Sequence, residues 1–294
     1  MSVTECLVEI GGVASRKTLV KLTSRLQVDR ALEAGEIVAD SRGRYALPAA
    51  DQALRAANRL HAVLSHSSAA LALGWEVKLA PEKPHLTFPK RRKLSPAQRR
   101  GIHVHRADLV TDDLAGFGTS VHRTLTDCLR SLPFDEALTI ADSALRHEAL
   151  TSAQLRLLAS GVRGPGAVEA RRVASLASPL AANPFESVLR ALAIQAGLDV
   201  EPQVAIGGDS LLGRPDLVDI GRRIVLEADS FAWHGDRKAL KHDARRYNSF
   251  VVAGWLVLRF CWEDVIHQPA LVMEVLRAAV RERTQTPTCP GCPA

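Results

Sequence analysis

Disulfides are the first thing this sequence cannot support. Its five cysteines, at positions 6, 128, 261, 289 and 292, are too few and too scattered for a cross-linked framework. Long apolar runs are missing too, since no stretch of 18 or more could form a membrane-spanning helix. The N-terminus lacks a basic segment followed by a hydrophobic one, so no secretory leader is expected. These absences point to a cytoplasmic protein. Cys289-Pro-Gly-Cys292 has the spacing of half a zinc knuckle, but no second ligand pair lies near it. With Pro287, Pro290 and Pro293 around it, the segment 284–294 reads as a disordered tail.

What the chain does have is an ordinary apolar content of 47% over 294 residues, enough for two or three packed domains. Its net charge of +6 is unevenly placed: residues 1–100 carry 17 Lys/Arg against 9 Asp/Glu, and the remainder is slightly acidic. A polyanionic partner for the first third follows, set against simple solvation of basic segments.

The most informative stretch runs from Arg214 to Gly235. Leu217-Val218 and Ile224-Val225-Leu226 read as two strands, and Gly221-Arg222 as a type II′ turn between them. That register sets 218 opposite 225 and 216 opposite 227, so Asp216 and Glu227 share a face. Asp229 joins them by strand periodicity. Like charges opposed in a sheet are destabilising. Three carboxylates together therefore call for a cation with a preference for hard oxygen ligands, Mg²⁺ or Mn²⁺. The competing reading pairs them with Arg214 or Arg223 in water.

Gly213-Arg-Pro-Asp-Leu-Val218, Ala232-Trp-His-Gly235 and Gly254-Trp-Leu-Val-Leu-Arg-Phe260 together resemble the very-short-patch-repair endonucleases. Those enzymes belong to the PD-(D/E)XK, or restriction-endonuclease-like, superfamily; a related and widespread bacterial domain is more similar still. The resemblance spans about 180–283. It implies a core of order αβββαβα and hydrolysis of phosphodiesters at a metal held by Asp216 and Glu227. It also implies His234 as general acid or base, and Glu186 on the first helix aimed toward the metal. Asn183-Pro-Phe-Glu186 is independently a helix start with a capping-box pattern, which accounts for Glu186 without any metal. Two departures stand out. The lysine expected two residues after the glutamate is Asp229, and the structural zinc pattern of the repair enzymes is missing. Asp243 and Arg246, on a helix expected over 236–252 with Lys238 and Lys241, either organise the site or contact phosphate, or are solvated surface. Trp233 and Trp255 stack on bases or pack in the core.

At the other end, helices expected at 3–10, from Ser15 and from Ser24, followed by strands 37–39 and 45–47, make a winged helix-turn-helix. The third helix would present Lys21, Arg25 and Arg30 to the major groove, with Arg42 and Arg44 on the wing near the backbone. Gly11-Gly-Val-Ala-Ser15 and Gly43-Arg-Tyr-Ala-Leu-Pro48 resemble the N-terminal domain of AbiEi-family antitoxins, which implies DNA binding and a possible cognate toxin partner.

Between the two lies a region expected to be α+β. Helices are expected over 53–64 and 65–74, strands at 85–88 and 102–105, and mostly helix over 120–159. Lys90, Arg91, Arg92 and Lys93 form the densest basic run, read either as a phosphate grip or as a solvated loop. His103 and His105 share one strand face, with no third metal ligand evident in the sequence.

The expected fold class is thus α+β multidomain: winged helix 1–50, an AbiEi-like α+β domain 51–160, a linker and helix 161–180, a nuclease-like domain 181–283 and a tail 284–294. The expected function is metal-dependent DNA cleavage in a defence or toxin–antitoxin setting. The alternative is an antitoxin-like regulator that uses an inactive nuclease fold for binding.

Overall fold

A computed structural model describes residues 1–207, 211–229 and 237–285, with side chains described for all of these except 211, 237–243 and 285. The chain is mixed α/β and divides into two units, 1–131 and 132–294. Among the described residues no helix is long and apolar enough to cross a membrane.

The first unit opens with α1 (Val3–Glu9), β1 (Val13–Ser15), α2 (Arg16–Leu22), α3 (Arg25–Glu33), β2 (Val38–Ser41) and β3 (Arg44–Ala46). Ser2, Ser15 and Ser24 each cap a helix by accepting a backbone N–H, as their short polar side chains predict. The strands form an antiparallel sheet of order β1-β3-β2. Leu7, Leu19, Val28, Ile37 and Tyr45 close a small core beneath it. Strand β1 was not foreseen. Lys21 ends α2 rather than lying on the third helix, because Thr23 terminates α2 and Ser24 caps α3 afresh.

The unit continues with α4 (Gln52–Leu60), β4 (Val63–Leu64), α5 (His66–Ala72), β5 (His85–Phe88), α6 (Pro96–Arg99), β6 (His103–Arg106), a 3₁₀ turn (Thr111–Asp113), β7 (Leu114–Ala115), β8 (Gly118–Thr119) and α7 (Val121–Ser131). The strands order as β6-β5-β4-β8-β7. The helix expected to reach residue 64 stops at a left-handed His61 (φ 50), and Val63-Leu64 enter the sheet instead.

The second unit begins with α8 (Phe134–Arg146), α9 (Ser152–Gly161), α10 (Ala167–Leu176) and α11 (Pro184–Gln195). The division between the two units falls before α8. Its physical reason is buried: Asp142 of α8 accepts from Arg190 Nη2 of α11 with both oxygens at 2.6 Å, from Ser187 Oγ at 2.9 Å and from the Ser178 backbone at 2.8 Å. A desolvated ion pair with its remaining lone pairs satisfied ties α8 to the helix that starts the last region.

Then follow β9 (Glu201–Pro202), β10 (Ile206–Gly207), β11 (Leu211–Gly213), β12 (Leu217–Asp219), β13 (Ile224–Asp229), α12 (Arg237–Val252), β14 (Leu256–Cys261), α13 (Trp262–His267) and α14 (Pro269–Gln285). The main sheet has the order β14-β13-β12-β9, and β14 runs parallel to β13. Helices α11, α13 and α14 bury Leu189, Leu192, Val265 and Leu276 against Leu217, Ile224 and Leu226 on one sheet face. Val218 and Val225, on the other face, pack with Phe250 of α12. The last helix is broken where Pro269, lacking an N–H, follows Gln268.

Candidate functional site

The hairpin of β12 and β13 has the register expected from its alternation: Val218 opposes Val225, and Leu217 opposes Leu226. Its turn differs. Gly221 is not among the positive-φ residues, whereas Arg223 is, at φ 53. The loop spans 220–223, closed by the Arg223 N–H on the Ile220 carbonyl at 3.2 Å. Asp219 stabilises it by accepting from Arg222 N at 2.9 Å and Arg222 Nη1 at 2.8 Å. A side-chain acceptor at the strand end selects a four-residue loop over the two-residue type II′ turn. The register is unaffected.

Asp216 stands just before β12, where its Oδ2 accepts from the Ala228 N–H at 2.8 Å. Gln203 Nε2 bridges it to the first helix, 3.4 Å from Asp216 Oδ1 and 3.3 Å from Glu186 Oε2. Glu186 is both cap and site residue. Its N–H donates to Asn183 Oδ1 at 3.0 Å, while its carboxylate accepts from Ala182 N and Asn183 Nδ2, each at 2.9 Å. Only half of the capping box forms, since the carboxylate reaches Ala182 rather than the Asn183 backbone.

Glu227 is buried beside Asp216. Burial first, then the Asp216 charge, pushes its carboxyl up to about 8, against the pull of Arg246. A hydrogen bond between the two carboxyls raises Glu227 and lowers Asp216. Burial also raises Asp216 and Glu186 above the usual carboxylate range. Arg246 of α12 lies 3.3 Å from Glu227, Nη2 to Oε2 and Nη1 to Oε1. Glu227 Oε1 nonetheless has no hydrogen-bond partner. Gly213 makes the Arg246 approach possible: a Cβ there would stand 3.3 Å from Arg246 Cγ and Cδ and 3.0 Å from Phe250.

Asp229 follows a different course. It shares the face of Glu227, but Arg259 Nε of β14 holds it at 2.7 Å. Both guanidinium groups approach the ring of Tyr247, Arg246 at 5.0 Å and Arg259 at 4.2 Å from its centre. The compensation expected from a metal alone is thus partly supplied by guanidinium groups. Gln203, Tyr247 and Arg259 were not foreseen. Arg259 had a signal, being the lone charge in the apolar strand 256–260. Trp255 packs against the core of Val218, Val225 and Phe250, with Arg223 5.4 Å from its ring. Trp233, His234, Cys289 and Cys292, and the side chains of Lys238, Lys241 and Asp243, lie outside the described residues.

An oxygen-ligated divalent cation fits this donor set. Glu227 is buried beside a half-buried Asp216 whose charge disfavours its own, one Glu227 oxygen lacks a hydrogen-bond partner, and Glu186 adjoins through Gln203. A cation would offset both the burial and the Asp216 charge that raise Glu227.

The basic residues divide into exposed and engaged. Lys21, Arg25, Arg30, Arg42, Lys90, Arg91 and Lys93 are exposed. Arg44 Nη2 lies 2.7 Å from His61 Nδ1, and Arg92 Nη1 donates to the His61 carbonyl at 2.7 Å. Burial, then Arg44 and Arg92, keeps the His61 imidazole below its ordinary range. Arg92 also stacks 5.1 Å over Phe88 and accepts on its carbonyl from Arg106. These contacts hold Arg92 in place. His61 thereby draws the 42–44 turn and the 90–93 run onto one surface of the first unit.

No family model matches the chain, and no curated protein matches it. Among solved structures it is similar to the crystal structure of the RV2827C protein from Mycobacterium tuberculosis, at 17% identity and a TM-score of 0.34 over 68% of this chain and 82% of that one.

Proposed function

We propose that the second unit is a metal-dependent endonuclease of the PD-(D/E)XK type and that the first unit binds DNA. The observation that carries this reading is the meeting of Glu186, Asp216 and Glu227 across a helix and a strand pair, with Glu227 pushed to about 8. Carboxyls raised by burial and gathered at one place mark a functional-site candidate. Asp216 and Glu227 would hold Mg²⁺ or Mn²⁺, with Glu186 adjoining. When bound, the ion activates water and neutralises charge on the scissile phosphate. Asp216 and Glu186 are kept in place by Gln203, and Arg246 is positioned to exchange its Glu227 contact for a phosphate oxygen. Asp229 replaces the superfamily's lysine, and Arg259 offsets its charge. His234 remains the candidate proton carrier.

In the first unit, the order α1–β1–α2–α3–β2–β3 supports a winged helix with Arg25 and Arg30 on its third helix. The exposed cations around His61 extend that surface along a phosphate backbone. A defence or toxin–antitoxin setting, with a cognate protein partner, accords with the AbiEi resemblance.

The test is cleavage of supercoiled plasmid with Mg²⁺ or Mn²⁺ by the wild type and Asp216→Ala. Nicking that vanishes in the variant supports the nuclease. A second reading, a DNA-binding regulator with a silent nuclease fold, draws on the ion pairs Arg246–Glu227 and Arg259–Asp229. A wild type that retards duplex DNA yet cuts neither DNA nor RNA would establish it.

A further inference from the structure

The β4–β8 sheet of the first unit has two unlike faces. On one, Leu64, Leu86 and Phe88 pack with Ala57 and Leu60 of α4. On the other, β5 and β6 run parallel with His85 beside His103 and Thr87 beside His105. Alternation therefore gathers those four side chains on the face opposite Leu86, Phe88 and Val104. Helix α5 meets this polar face and contributes His66. His85 Nδ1 lies 3.0 Å from His105 Nε2, and the His66 and His105 rings stack with centroids 3.5 Å apart. One nitrogen from each of His66, His85 and His105 falls within 4.8 Å of the others. We propose that His66, His85 and His105 form a binding site for a borderline-soft divalent cation, Zn²⁺ above all.

The chemistry of the donors argues for zinc. Three imidazoles with no carboxylate among them suit Zn²⁺ and disfavour Mg²⁺. A tetrahedral ion with Zn–N bonds of about 2.0–2.1 Å separates its ligand nitrogens by roughly 3.3 Å, close to the His85–His105 spacing. His66 and His105 must unstack by turning about χ2, a soft torsion. Half-buried or buried, the three imidazoles are the neutral kind of donor that a metal needs. Arg123 also faces His66, but it is paired with Asp113 and Asp127.

An outer layer is already built. Ser65 Oγ lies 3.0 Å from His66 Nδ1, which leaves Nε2 as the ligand atom. Thr87 Oγ1 donates to Ser65 Oγ at 2.8 Å, and the His85 N–H donates to Ser68 Oγ at 3.0 Å. Ser65 consequently forms no side-chain cap on α5. His66 also holds φ 52, a left-handed conformation that a buried non-glycine residue adopts only when its surroundings impose it. The site ties α5 to β5 and β6.

The test uses the full chain with Cys289→Ser and Cys292→Ser, so that tail thiols contribute nothing. Chelator-stripped protein is titrated with Zn²⁺ against a chromophoric competitor. The expected result is one Zn²⁺ per chain, unchanged by Asp216→Ala and weakened more than about 100-fold by His85→Ala or His105→Ala. Circular dichroism checks that the variants fold. Should they not, the histidine ring-proton NMR signals of the folded parent decide: perturbation of three residues by one equivalent supports the site. No zinc retained at micromolar concentration, or equal retention by a folded His105→Ala, overturns it.

Discussion

Each unit of this protein buries a cluster of ionisable side chains, and the two clusters are opposite in kind. In the first unit three histidines that would ordinarily titrate near neutrality are held neutral. In the second, burial raises three carboxyls above their ordinary range, Glu227 most of all, to about 8. The physical cause is the same: burial penalises whichever form is charged, and like neighbours add to the penalty. The difference lies in what relieves it. Nitrogen donors suit zinc, and oxygen donors suit magnesium or manganese. One chain thus presents two candidate cation sites that ligand chemistry keeps apart.

The sharpest way to break that comparison is to remove the acidic pair. Asp216→Asn retains an acceptor for the Ala228 N–H but not the charge. Plasmid cleavage should fall by about 10³-fold or more, the equivalent of several kcal/mol of transition-state stabilisation. Zinc binding should be untouched.

Next in size is the pH dependence of stability. The raised Glu227 pKa stabilises the fold fully below the unfolded value of 4.5 and loses that contribution as pH rises through about 8. Metal-free protein should therefore lose melting temperature between those limits. Glu227→Gln should flatten the decline, and Mg²⁺ should reverse it at pH 8. Thermal melts across pH measure all three.

The histidines carry the opposite sign. Their lowered pKa values contribute stability that is present above 6.5 and lost as pH falls toward about 4. Hydrogen exchange should show acid opening first in α5, β5 and β6, with His85→Gln reducing it. An acid response spread evenly over the chain would remove the contrast between the units.

The smallest effects belong to the basic surface. Lys90→Ala and Arg91→Ala should each weaken duplex binding at low salt and lower the slope of log K against log[salt] by about 0.9. Arg92→Ala should instead cost stability, because Arg92 holds the His61 carbonyl and covers Phe88.

The hairpin shows how far one-dimensional reading reaches. Alternation placed 218 opposite 225 and Asp216 beside Glu227, because a one-residue slip would turn every apolar side chain to the wrong face. The same reading misjudged the turn, because it weighed Gly221 and not the local capture of Arg222 by Asp219, three residues before it. Glu186 was recognisable as a cap from Asn183-Pro184, but its link to Asp216 runs through Gln203, which carries no motif.

Periodicity, caps and charge bias, all local, were determined by the sequence alone: the serine-capped helices, the strand pair at 217–229 and the basic first third. Contacts between distant segments were decided only by tertiary structure. His66, His85 and His105 lie about twenty residues apart in turn, and Asp142 meets Arg190 across 48 positions. Arg259 reaches Asp229 only because β14 pairs parallel to β13. Burial then sets the charge of each group, and burial is a property of the packed chain rather than of any residue in it.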